Sequence, residues 1–173
     1  MEKINILYNE ETLMNRISEL ADELYKVYGE EEVVFVSVLK GAIFFTVDLA
    51  KKFKGDARID FLRVSSYEGE NSTGNINLKI ALKEENIKGK HVLIVEDIID
   101  TGRTMKFLLK YIEELGAKSV RSCVLLDKKS RRTEDIDADY VGFEIPDLFV
   151  IGYGLDYDEK YRNLPYIGVV VNE

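Results

Sequence analysis

The sequence predicts an α/β fold in which a mainly parallel central sheet is flanked by helices. Apolar runs typical of buried strands, such as 33–38, alternate with stretches whose apolar residues recur at helical spacing, such as 13–27. Short polar turns join strand to helix at 39–41 and 100–104. With 173 residues, 46% of them apolar, the chain has enough material for a single domain, 1–173, with a buried core.

The first half of the chain predicts two helices and three strands. The first helix lies between a candidate N-cap, Asn9, and Gly29, where a helix commonly ends. The other elements are a buried strand at 33–38, a helix from 42 to about 52, and alternating strands at 58–64 and 76–82.

A long polar segment separates the last two of these strands. A hairpin connection is about two to five residues long, whereas this one runs from about 65 to 75. It predicts a flexible active-site loop, with an ordinary disordered excursion as the alternative.

The second half predicts a strand, a helix and several shorter strands. The strand at 91–95 precedes a helix whose apolar face closes at Gly116, and a further strand follows at 119–126. Short strands are expected at 140–143, 150–153 and 166–171. We expect the N-terminal residues and about 144–173 to form a small hood subdomain over the main sheet.

Charge and rare residues exclude several classes of function. The 24 basic and 32 acidic residues give a net charge of −8, which argues against nucleic acid or an anionic membrane surface as a partner. No apolar run approaches the roughly 20 residues of a membrane span. The N-terminal residues lack the layout of a signal peptide, so we expect a cytoplasmic protein.

The single cysteine and the single histidine narrow the chemistry further. Cys123 lies in an apolar strand and is expected to be buried, so neither a disulfide nor a cysteine zinc site is available. His91 begins a strand, whereas functional groups gather at strand C-termini, so we expect a structural role for it. Acid–base chemistry must then come from carboxylates, lysine or tyrosine, and any metal must be a hard cation bound by oxygen.

The segment 92–104 carries the strongest chemical signal. A buried strand leads to Glu96 and Asp97, and then to the turn from Asp100 to Thr104 at the start of a helix. Backbone N–H groups at such a helix start form an anion site suited to phosphate, and Gly102 allows close approach. Two carboxylates beside this site need hydroxyl groups or a cation, so the pattern indicates a sugar phosphate, Mg²⁺, or both. A capped helix with surface acids is the alternative.

This segment resembles the phosphoribosyl-pyrophosphate (PRPP) motif of type I phosphoribosyltransferases, and the whole chain resembles the hypoxanthine-guanine phosphoribosyltransferase family. The resemblance runs from about residue 34 to the C-terminus. It rests on five islands in the family's order: Leu39-Lys40-Gly41, Ser66-Tyr67 with Ser72-Thr73-Gly74, the segment 92–104, Lys128, and Phe149-Val150 through Asp156 to Arg162.

The resemblance implies a fold, a reaction and a set of partners. The fold would be that of type I phosphoribosyltransferases. The reaction would transfer 5-phosphoribose from PRPP to N9 of hypoxanthine or guanine, with Mg²⁺ as cofactor. The products would be IMP or GMP and pyrophosphate. Relatives of this kind lead us to expect a homodimer or a homotetramer.

The resemblance also assigns the ribose-phosphate contacts. Glu96 and Asp97 would hold the ribose hydroxyls, and the 5′-phosphate would bind the loop formed by Asp100, Thr101, Gly102, Arg103 and Thr104. Asp100 would also be the general base near purine N7, with an N-cap role for the following helix as the alternative.

Four residues would recognise the purine. Lys128 would donate to the 6-oxo group, which disfavours the 6-amino group of adenine. Phe149 would stack on the base, the Val150 backbone would bind its edge, and Asp156 would lie near its 2-position. Taken alone, Lys128 fits a solvated surface charge, Phe149 a core residue and Asp156 a turn residue.

The pyrophosphate and metal contacts complete the implied site. Pyrophosphate would contact Leu39, Lys40, Gly41, Ser66, Tyr67 and Arg162. The resemblance also predicts a non-proline cis peptide between Leu39 and Lys40. Mg²⁺ would be held by Glu96, Asp97 and Asp156.

Two other functions compete with this interpretation. One is a regulator that binds PRPP and controls transcription, which would need a basic nucleic-acid surface that a net charge of −8 does not favour. The other is an enzyme of the same fold that uses xanthine or another base.

Overall fold

The chain folds around two separate sheets, one of six strands and one of three. The structure is a computed structural model in which residues 3–66 and 75–171 are described. In chain order the elements are β1 (Lys3–Tyr8), α1 (Glu10–Tyr28), β2 (Val33–Leu39), α2 (Ile43–Lys52), β3 (Ala57–Ser66), β4 (Ile76–Ile80), α3 (Glu84–Ile87), β5 (His91–Ile99), α4 (Arg103–Glu114), β6 (Ser119–Asp127), a 3₁₀ turn (Lys129–Arg131), β7 (Tyr140–Glu144), β8 (Val150–Ile151) and β9 (Ile167–Val171).

Helix α1 begins and ends where the sequence predicts. The side chain of Asn9 accepts a hydrogen bond from the backbone N–H of Thr12 at 2.8 Å, which satisfies one of the free donors of the first turn. Gly29 follows the last turn with a φ of 56°, a conformation that glycine adopts without steric cost.

The six-stranded sheet has the order β4-β3-β2-β5-β6-β7. All neighbours are parallel except β3 and β4, which pair in antiparallel fashion. Because the C-terminal ends of β2, β5 and β6 lie at the same edge, the segments that follow these strands meet there. This edge carries the candidate site.

The side chains of the central strands point alternately to the two faces of the sheet, so the core consists of two clusters, one on each face. Phe35 and Leu93 pack on the side of the sheet that carries α1 and α2. Val34 and Val92 pack on the opposite side, against α4. Successive side chains of a strand point to opposite faces, so a sheet covered on both faces needs the nearly continuous apolar runs seen in β2 and β5.

The three-stranded sheet has the order β1-β9-β8 and is antiparallel throughout. It joins the start of the chain to residues after 144. Val150 and Ile167 of this sheet belong to the same buried cluster as Leu13 and Phe35, so the two sheets share one hydrophobic core.

Several strands end at different residues from those expected, among them β5, β8 and β4. β5 continues through Glu96 and Asp97 to Ile99, because the neighbouring β6 pairs with it as far as Asp127. β8 stops at Ile151, since Gly152 and Tyr153 both have positive φ. β4 ends at Ile80, two residues before the predicted end.

The single cysteine lies inside the core, and the single histidine lies away from the site edge. Cys123 is fully buried, as predicted, and burial raises the pKa of its thiol. His91 starts β5, where its ring contacts the Ser119 hydroxyl at 2.6 Å and the Glu31 carboxylate. In the described ranges, no helix is both long and apolar enough to cross a membrane.

Candidate active site

The C-terminal edge of the main sheet brings together most of the predicted site residues. Glu96 and Asp97 lie in the last part of β5, Asp100 follows β5, and Lys128 follows β6. A cleft opens here, lined by residues 96–102, 104 and 105. The predicted ribose and phosphate contacts other than Arg103 therefore border a single space.

The carboxylates of Glu96 and Asp97 form a half-buried pair of neighbouring acids. Burial raises the pKa of Glu96 well above its ordinary value, and the neighbouring charge of Asp97 adds to the effect. Burial also raises the pKa of Asp97, while hydrogen bonds from Glu96 and from the Ile98 N–H partly offset it. The Oε2 atom of Glu96 is buried without a hydrogen-bond partner in the described part of the chain. A hydroxyl group or a cation would satisfy this atom.

The turn at 39–41 packs directly against this pair. A Cβ atom at Gly41 would lie 1.8 Å from Asp97 Oδ2, so only glycine fits there. A Cβ atom at Gly154 would lie 2.1 Å from the carbonyl oxygen of Gly41, so the backbone of a second glycine packs closely against the turn. The peptide between Leu39 and Lys40 is cis, as the resemblance predicts.

The turn at 100–104 forms the start of α4. Gly102 is the N-cap residue, with a φ of 90° and no side-chain cap, so Asp100 does not cap the helix and that alternative is wrong. A Cβ atom at Gly102 would also lie 2.6 Å from Ile136 Cγ2. The hydroxyl of Thr101 accepts a long hydrogen bond from the Arg103 N–H at 3.4 Å. The open N-terminal turn leaves backbone donors for an anion.

Asp100 and Lys128 are connected through two residues that the sequence did not single out. Arg131 Nε lies 2.9 Å from Asp100 Oδ1, and Arg131 Nη1 lies 3.3 Å from Asp147 Oδ2. The other oxygen of Asp147 lies 3.7 Å from Lys128 Nζ. Lys128 is only 9% exposed, so its description as a solvated surface charge is wrong.

Phe149 is the most exposed of the predicted purine contacts. Its side chain is 57% exposed, so the alternative of a core residue is wrong. The ring meets that of Tyr157 edge to face, with 5.6 Å between centroids. Val150, the next residue, is buried in β8 and pairs with Val169.

Lys40, Asp156 and Arg162 form a charged group around Glu159. Arg162 Nη2 lies 3.1 Å from Asp156 Oδ1 and 3.0 Å from Glu159 Oε1, while its Nη1 donates to the Gly154 carbonyl at 2.7 Å. Lys40 Nζ lies 2.7 Å from Glu159 Oε2. Asp156 also accepts from the Glu159 N–H, as a turn residue would.

Two parts of the predicted site, the Ser66-Tyr67 contacts and the group of metal ligands, are not brought together in the described residues. Tyr67 and the rest of 67–74 lie outside the described residues, and Ser66 is described only as the end of β3, where it pairs with Ile76. Within 3–66 and 75–171, no three acidic, histidine or cysteine side chains gather as a group suited to a metal ion. Glu96, Asp97 and Asp156 therefore do not form such a trio in this structure.

Sequence reasoning missed several residues that shape this edge. Besides Arg131, Asp147 and Gly154, they are Asp127 and Arg132, which form an ion pair beside the turn at 100–104. Asp127 carried a usable signal, because a carboxylate that ends an apolar strand is buried and needs a partner. The cationic run at 128–132 hid Arg131 and Arg132, since its members have different degrees of burial that the residue types do not reveal.

Comparison with known proteins agrees with this geometry. The family model of the phosphoribosyl transferase domain matches residues 3–158. The chain is 45% identical over 171 residues to the hypoxanthine-guanine phosphoribosyltransferase of Aquifex aeolicus, covering 98% of this chain and 96% of that protein. It is also 45% identical over 166 residues to the Bacillus subtilis enzyme of the same name, covering 95% and 92%.

A solved structure gives the same result. The crystal structure of a hypoxanthine-guanine phosphoribosyltransferase from Bacillus anthracis matches with a TM-score of 0.90 and 43% identity, covering 99% of this chain and 100% of that one. The sheet, the turn at 100–104 and these matches together define a phosphoribosyltransferase fold. The chain belongs to the phosphoribosyltransferase family, and its relatives over nearly the full length are hypoxanthine-guanine phosphoribosyltransferases. The fold and the family predicted from the sequence are confirmed.

Proposed function

We propose that this chain transfers the 5-phosphoribosyl group of PRPP to N9 of hypoxanthine or guanine and releases pyrophosphate. The observation that carries the proposal is the cleft at the C-terminal sheet edge. In it, the half-buried carboxylate pair of Glu96 and Asp97 borders the open N-terminus of α4. This arrangement suits a ligand with adjacent hydroxyls and a phosphate, and the names of the relatives supply the purine.

The ribose phosphate would be held by two kinds of group. Glu96 and Asp97 would accept hydrogen bonds from the ribose hydroxyls, and the partnerless Oε2 of Glu96 supports this role. The 5′-phosphate would bind the backbone N–H groups of Thr101, Gly102 and Thr104, with the hydroxyls of the threonines and the charge of Arg103 nearby.

The purine would lie between Lys128 and Phe149. Lys128 is held by β6 with little exposure, so its ammonium group can be directed at the 6-oxo group. Phe149 is 57% exposed, so its ring is accessible for stacking. The backbone of Val150, with Asp156 nearby, would bind the edge that carries position 2.

Asp100 would move the proton in the reaction. The bond between the anomeric carbon and pyrophosphate breaks, the bond between that carbon and purine N9 forms, and the displaced purine proton passes to the Asp100 carboxylate by way of N7. Arg131, now paired with Asp100, would have to release that oxygen to the base. The positive charge that develops on the ribose is stabilised by the fixed carboxylates around it.

Pyrophosphate would bind opposite the ribose, at the turn formed by Leu39, Lys40 and Gly41 and at Arg162. Ser66 and Tyr67 are further proposed contacts. Arg162 would exchange its bonds to Asp156 and Glu159 for pyrophosphate oxygens, which leaves the Asp156 carboxylate free.

Magnesium fits the donor set of this edge. Glu96 and Asp97 would supply oxygen ligands of the kind that a hard cation prefers, and Asp156, once Arg162 releases it, would supply a third; the buried Oε2 of Glu96 has no other partner in the described chain. When bound, Mg²⁺ would neutralise charge on the departing pyrophosphate.

We also propose that two or four copies associate through an apolar surface beside α2. Ile59 and Phe61 pair with Phe35 and Ser37 of β2, on the face that carries α2, yet no helix covers this edge of the sheet in the described chain. The surface consists of side chains that are each 37–43% exposed: Ile43, Phe44, Val47, Ile59, Phe61 and Ile80. Such a patch is typical of association between copies. Phe44→Asp should lower the molar mass measured by light scattering, and an unchanged mass would contradict this surface.

The remaining proposals concern organisation and location. We propose that 1–173 acts as one domain, since both sheets share a buried cluster. A cytoplasmic location is consistent with a single, fully buried free cysteine.

A panel of bases tests the proposed reaction. Purified protein is incubated with PRPP, Mg²⁺ and each of hypoxanthine, guanine, xanthine, adenine and uracil, and nucleotide formation is followed. We expect turnover with hypoxanthine or guanine and none with adenine or uracil. Turnover confined to xanthine would support the alternative enzyme, and no turnover with any base would contradict the proposal.

A variant tests the role of Asp100. Asp100→Asn should lower turnover by about 100-fold, within the usual range for a general base. Asp22→Asn, on the exposed side of α1, removes a carboxylate that pairs only with a surface lysine and serves as the control. Full activity of Asp100→Asn would exclude a catalytic role for this residue.

A further inference from the structure

A buried ion pair lies directly behind the phosphate turn. Asp127 ends β6 with a side chain that is 1% exposed, and Arg132 Nη2 lies 2.7 Å from its Oδ1 atom. The Arg132 side chain is itself only 12% exposed. Burying two charges costs free energy that their mutual attraction often fails to recover, so such a pair is weak support for stability alone. Its position suggests another purpose.

The guanidinium group of Arg132 bonds to the phosphate turn as well as to Asp127. Its Nη1 atom donates to the carbonyl oxygen of Asp100 at 2.7 Å. A guanidinium carries donors in a fixed planar fork, so one side chain sets the distance between the end of β6 and the start of the turn. Its third partner, Asp137, is exposed and 3.5 Å away.

The next carbonyl of the turn is held from the same side. The oxygen of Thr101 accepts hydrogen bonds from the N–H groups of Thr133 and Glu134, at 3.0 and 3.1 Å. Two consecutive carbonyls of the turn therefore point toward the segment 132–134.

The orientation of these carbonyls fixes the orientation of the adjacent N–H groups. In a planar trans peptide, the C=O of one residue and the N–H of the next point in opposite directions. Because the carbonyls of Asp100 and Thr101 point toward 132–134, the N–H groups of Thr101 and Gly102 point away from that segment. These are donors of the proposed phosphate site.

Asp127 also connects this arrangement to Lys128, the proposed purine contact. It immediately precedes Lys128, whose N–H donates to the carbonyl of Ile99 at 3.0 Å. The carbonyl of Asp127 accepts from the Ile145 N–H at 2.9 Å. The end of β6, the end of β5 and the turn are thus linked within a few residues.

We propose that Asp127 and Arg132 are a positioning pair that orients the N–H groups of the turn at 100–104 toward the 5′-phosphate. The inference rests on the proposed function, because it concerns the same site. It adds two residues that touch neither substrate, and it distinguishes the 5′-phosphate from pyrophosphate. Pyrophosphate would bind the separate turn at 39–41, which neither residue contacts.

A double variant separates positioning from stability. Asp127→Leu/Arg132→Met removes both charges together and replaces them with apolar side chains of similar size, a change that often leaves a fold intact. Arg132→Lys keeps the charge facing Asp127 but lacks the planar fork, and it serves as the conservative variant. Lys129→Gln removes a positive charge from the same segment, where it pairs only with exposed Glu144, and serves as the control.

The measurement is calorimetric binding of IMP and of pyrophosphate with Mg²⁺, together with the melting temperature. For the double variant we expect IMP to bind about tenfold more weakly, as the loss of a hydrogen bond that orients a charged contact would cause. Pyrophosphate affinity should stay within about twofold, because its site is separate. Arg132→Lys should weaken IMP binding less, and Lys129→Gln should leave both affinities unchanged.

The outcomes separate this inference from the proposed function. A double variant that melts near the wild type and binds IMP normally would overturn the inference. If the double variant and Arg132→Lys both bound IMP and pyrophosphate more weakly and also melted at a lower temperature, the pair would have only a structural role. Wild-type protein that binds neither ligand would overturn the proposed function, and the inference with it.

Discussion

The two turns proposed to bind the ends of PRPP differ in what makes them functional. Both follow a central parallel strand at the same sheet edge, and both lead into a helix. The turn at 100–104 carries its chemistry in its own residues, namely two threonines, an arginine and a glycine with positive φ at the helix start. The turn at 39–41 carries almost none apart from the charge of Lys40. Its character comes from what packs around it.

The glycines show this difference most clearly. Gly102 is needed for its own backbone, whose φ of 90° disfavours any residue with a Cβ. Gly41 has no positive φ, and its requirement comes from Asp97 and Gly154, which lie far away in the sequence. Glycine is therefore required at position 102 first by its own backbone conformation, and at position 41 by tertiary contacts. Substitutions at these two glycines should have different consequences.

Gly41→Ala should have the largest effect of the substitutions considered. The new Cβ would lie 1.8 Å from Asp97 Oδ2 and 2.7 Å from its Cγ, so either the turn or the carboxylate must move. Because this contact joins the pyrophosphate turn to the ribose carboxylates, we expect kcat/KM for PRPP to fall by about 100-fold. Steady-state kinetics and the binding of IMP and pyrophosphate should both report the loss.

Gly89→Ala is the matched control for that substitution. Its φ of 72° makes alanine unfavourable there, but a Cβ would meet no atom within 4 Å. It should cost about 1 kcal/mol of stability without changing kcat/KM. If both variants lost activity in proportion to stability, the contact between Gly41 and Asp97 would have no special role.

Gly102→Ala should have a smaller and more selective effect. Alanine at a φ of 90° is strained, and its Cβ would lie 2.6 Å from Ile136 Cγ2. We expect IMP to bind about tenfold more weakly, because the strained turn misaligns donors for one phosphate. Pyrophosphate affinity should be unchanged, and calorimetry distinguishes the two. An equal loss for both ligands would mean that the two turns are not independent.

The same distinction explains how much could be predicted from the sequence. The caps of α1, the parallel central strands and the glycine turn at the start of α4 are local patterns, and residue types reveal them. The role of Leu39, Lys40 and Gly41 was reached only through family resemblance. Nothing in those three residues indicates that Asp97 and Gly154 enclose them.

Burial and strand ends were the weakest predictions. Phe149 and Lys128 have the opposite of their usual exposures, because the Phe149 ring, just before β8, lies largely in solvent while Lys128, just after β6, is buried. Glu96 and Asp97 are poor strand formers, yet they continue β5 because β6 offers a long partner. In each case a tertiary contact overrides the intrinsic preference of the residue.

Lys40→Ala tests whether the turn at 39–41 works through its backbone. The side chain is 45% exposed and pairs with Glu159 at 2.7 Å, an exposed ion pair that contributes little to stability. If the backbone supplies the pyrophosphate contacts, KM for PRPP should rise by only about threefold, in line with the loss of one screened charge. Lys110→Ala, which removes a similarly exposed ion pair on α4, is the control. A loss as large as that of Gly41→Ala would assign the binding to the side chain instead.

The smallest expected effect concerns stability, at the carboxylate pair that lies between the two turns. Folding raises the pKa of Glu96, through burial first and the charge of Asp97 second. A raised pKa stabilises the fold below the unfolded pKa, and this contribution is lost as pH rises through the folded pKa. Glutamine at position 96 does not titrate, so Glu96→Gln should melt at about the wild-type temperature near pH 4. Near pH 8 it should melt about 2 °C higher, a shift typical of a change below 1 kcal/mol in a chain of this size.

Melting curves recorded from pH 4 to pH 8 without Mg²⁺ measure this difference. Glu114→Gln, at the exposed end of α4, is the control and should show no such trend. A gap between Glu96→Gln and wild type that is constant with pH would mean that the pair carries no electrostatic strain. A gap that widens with pH would show that the fold holds two carboxylates together, between the turn at 39–41 and the turn at 100–104, at a cost to its stability.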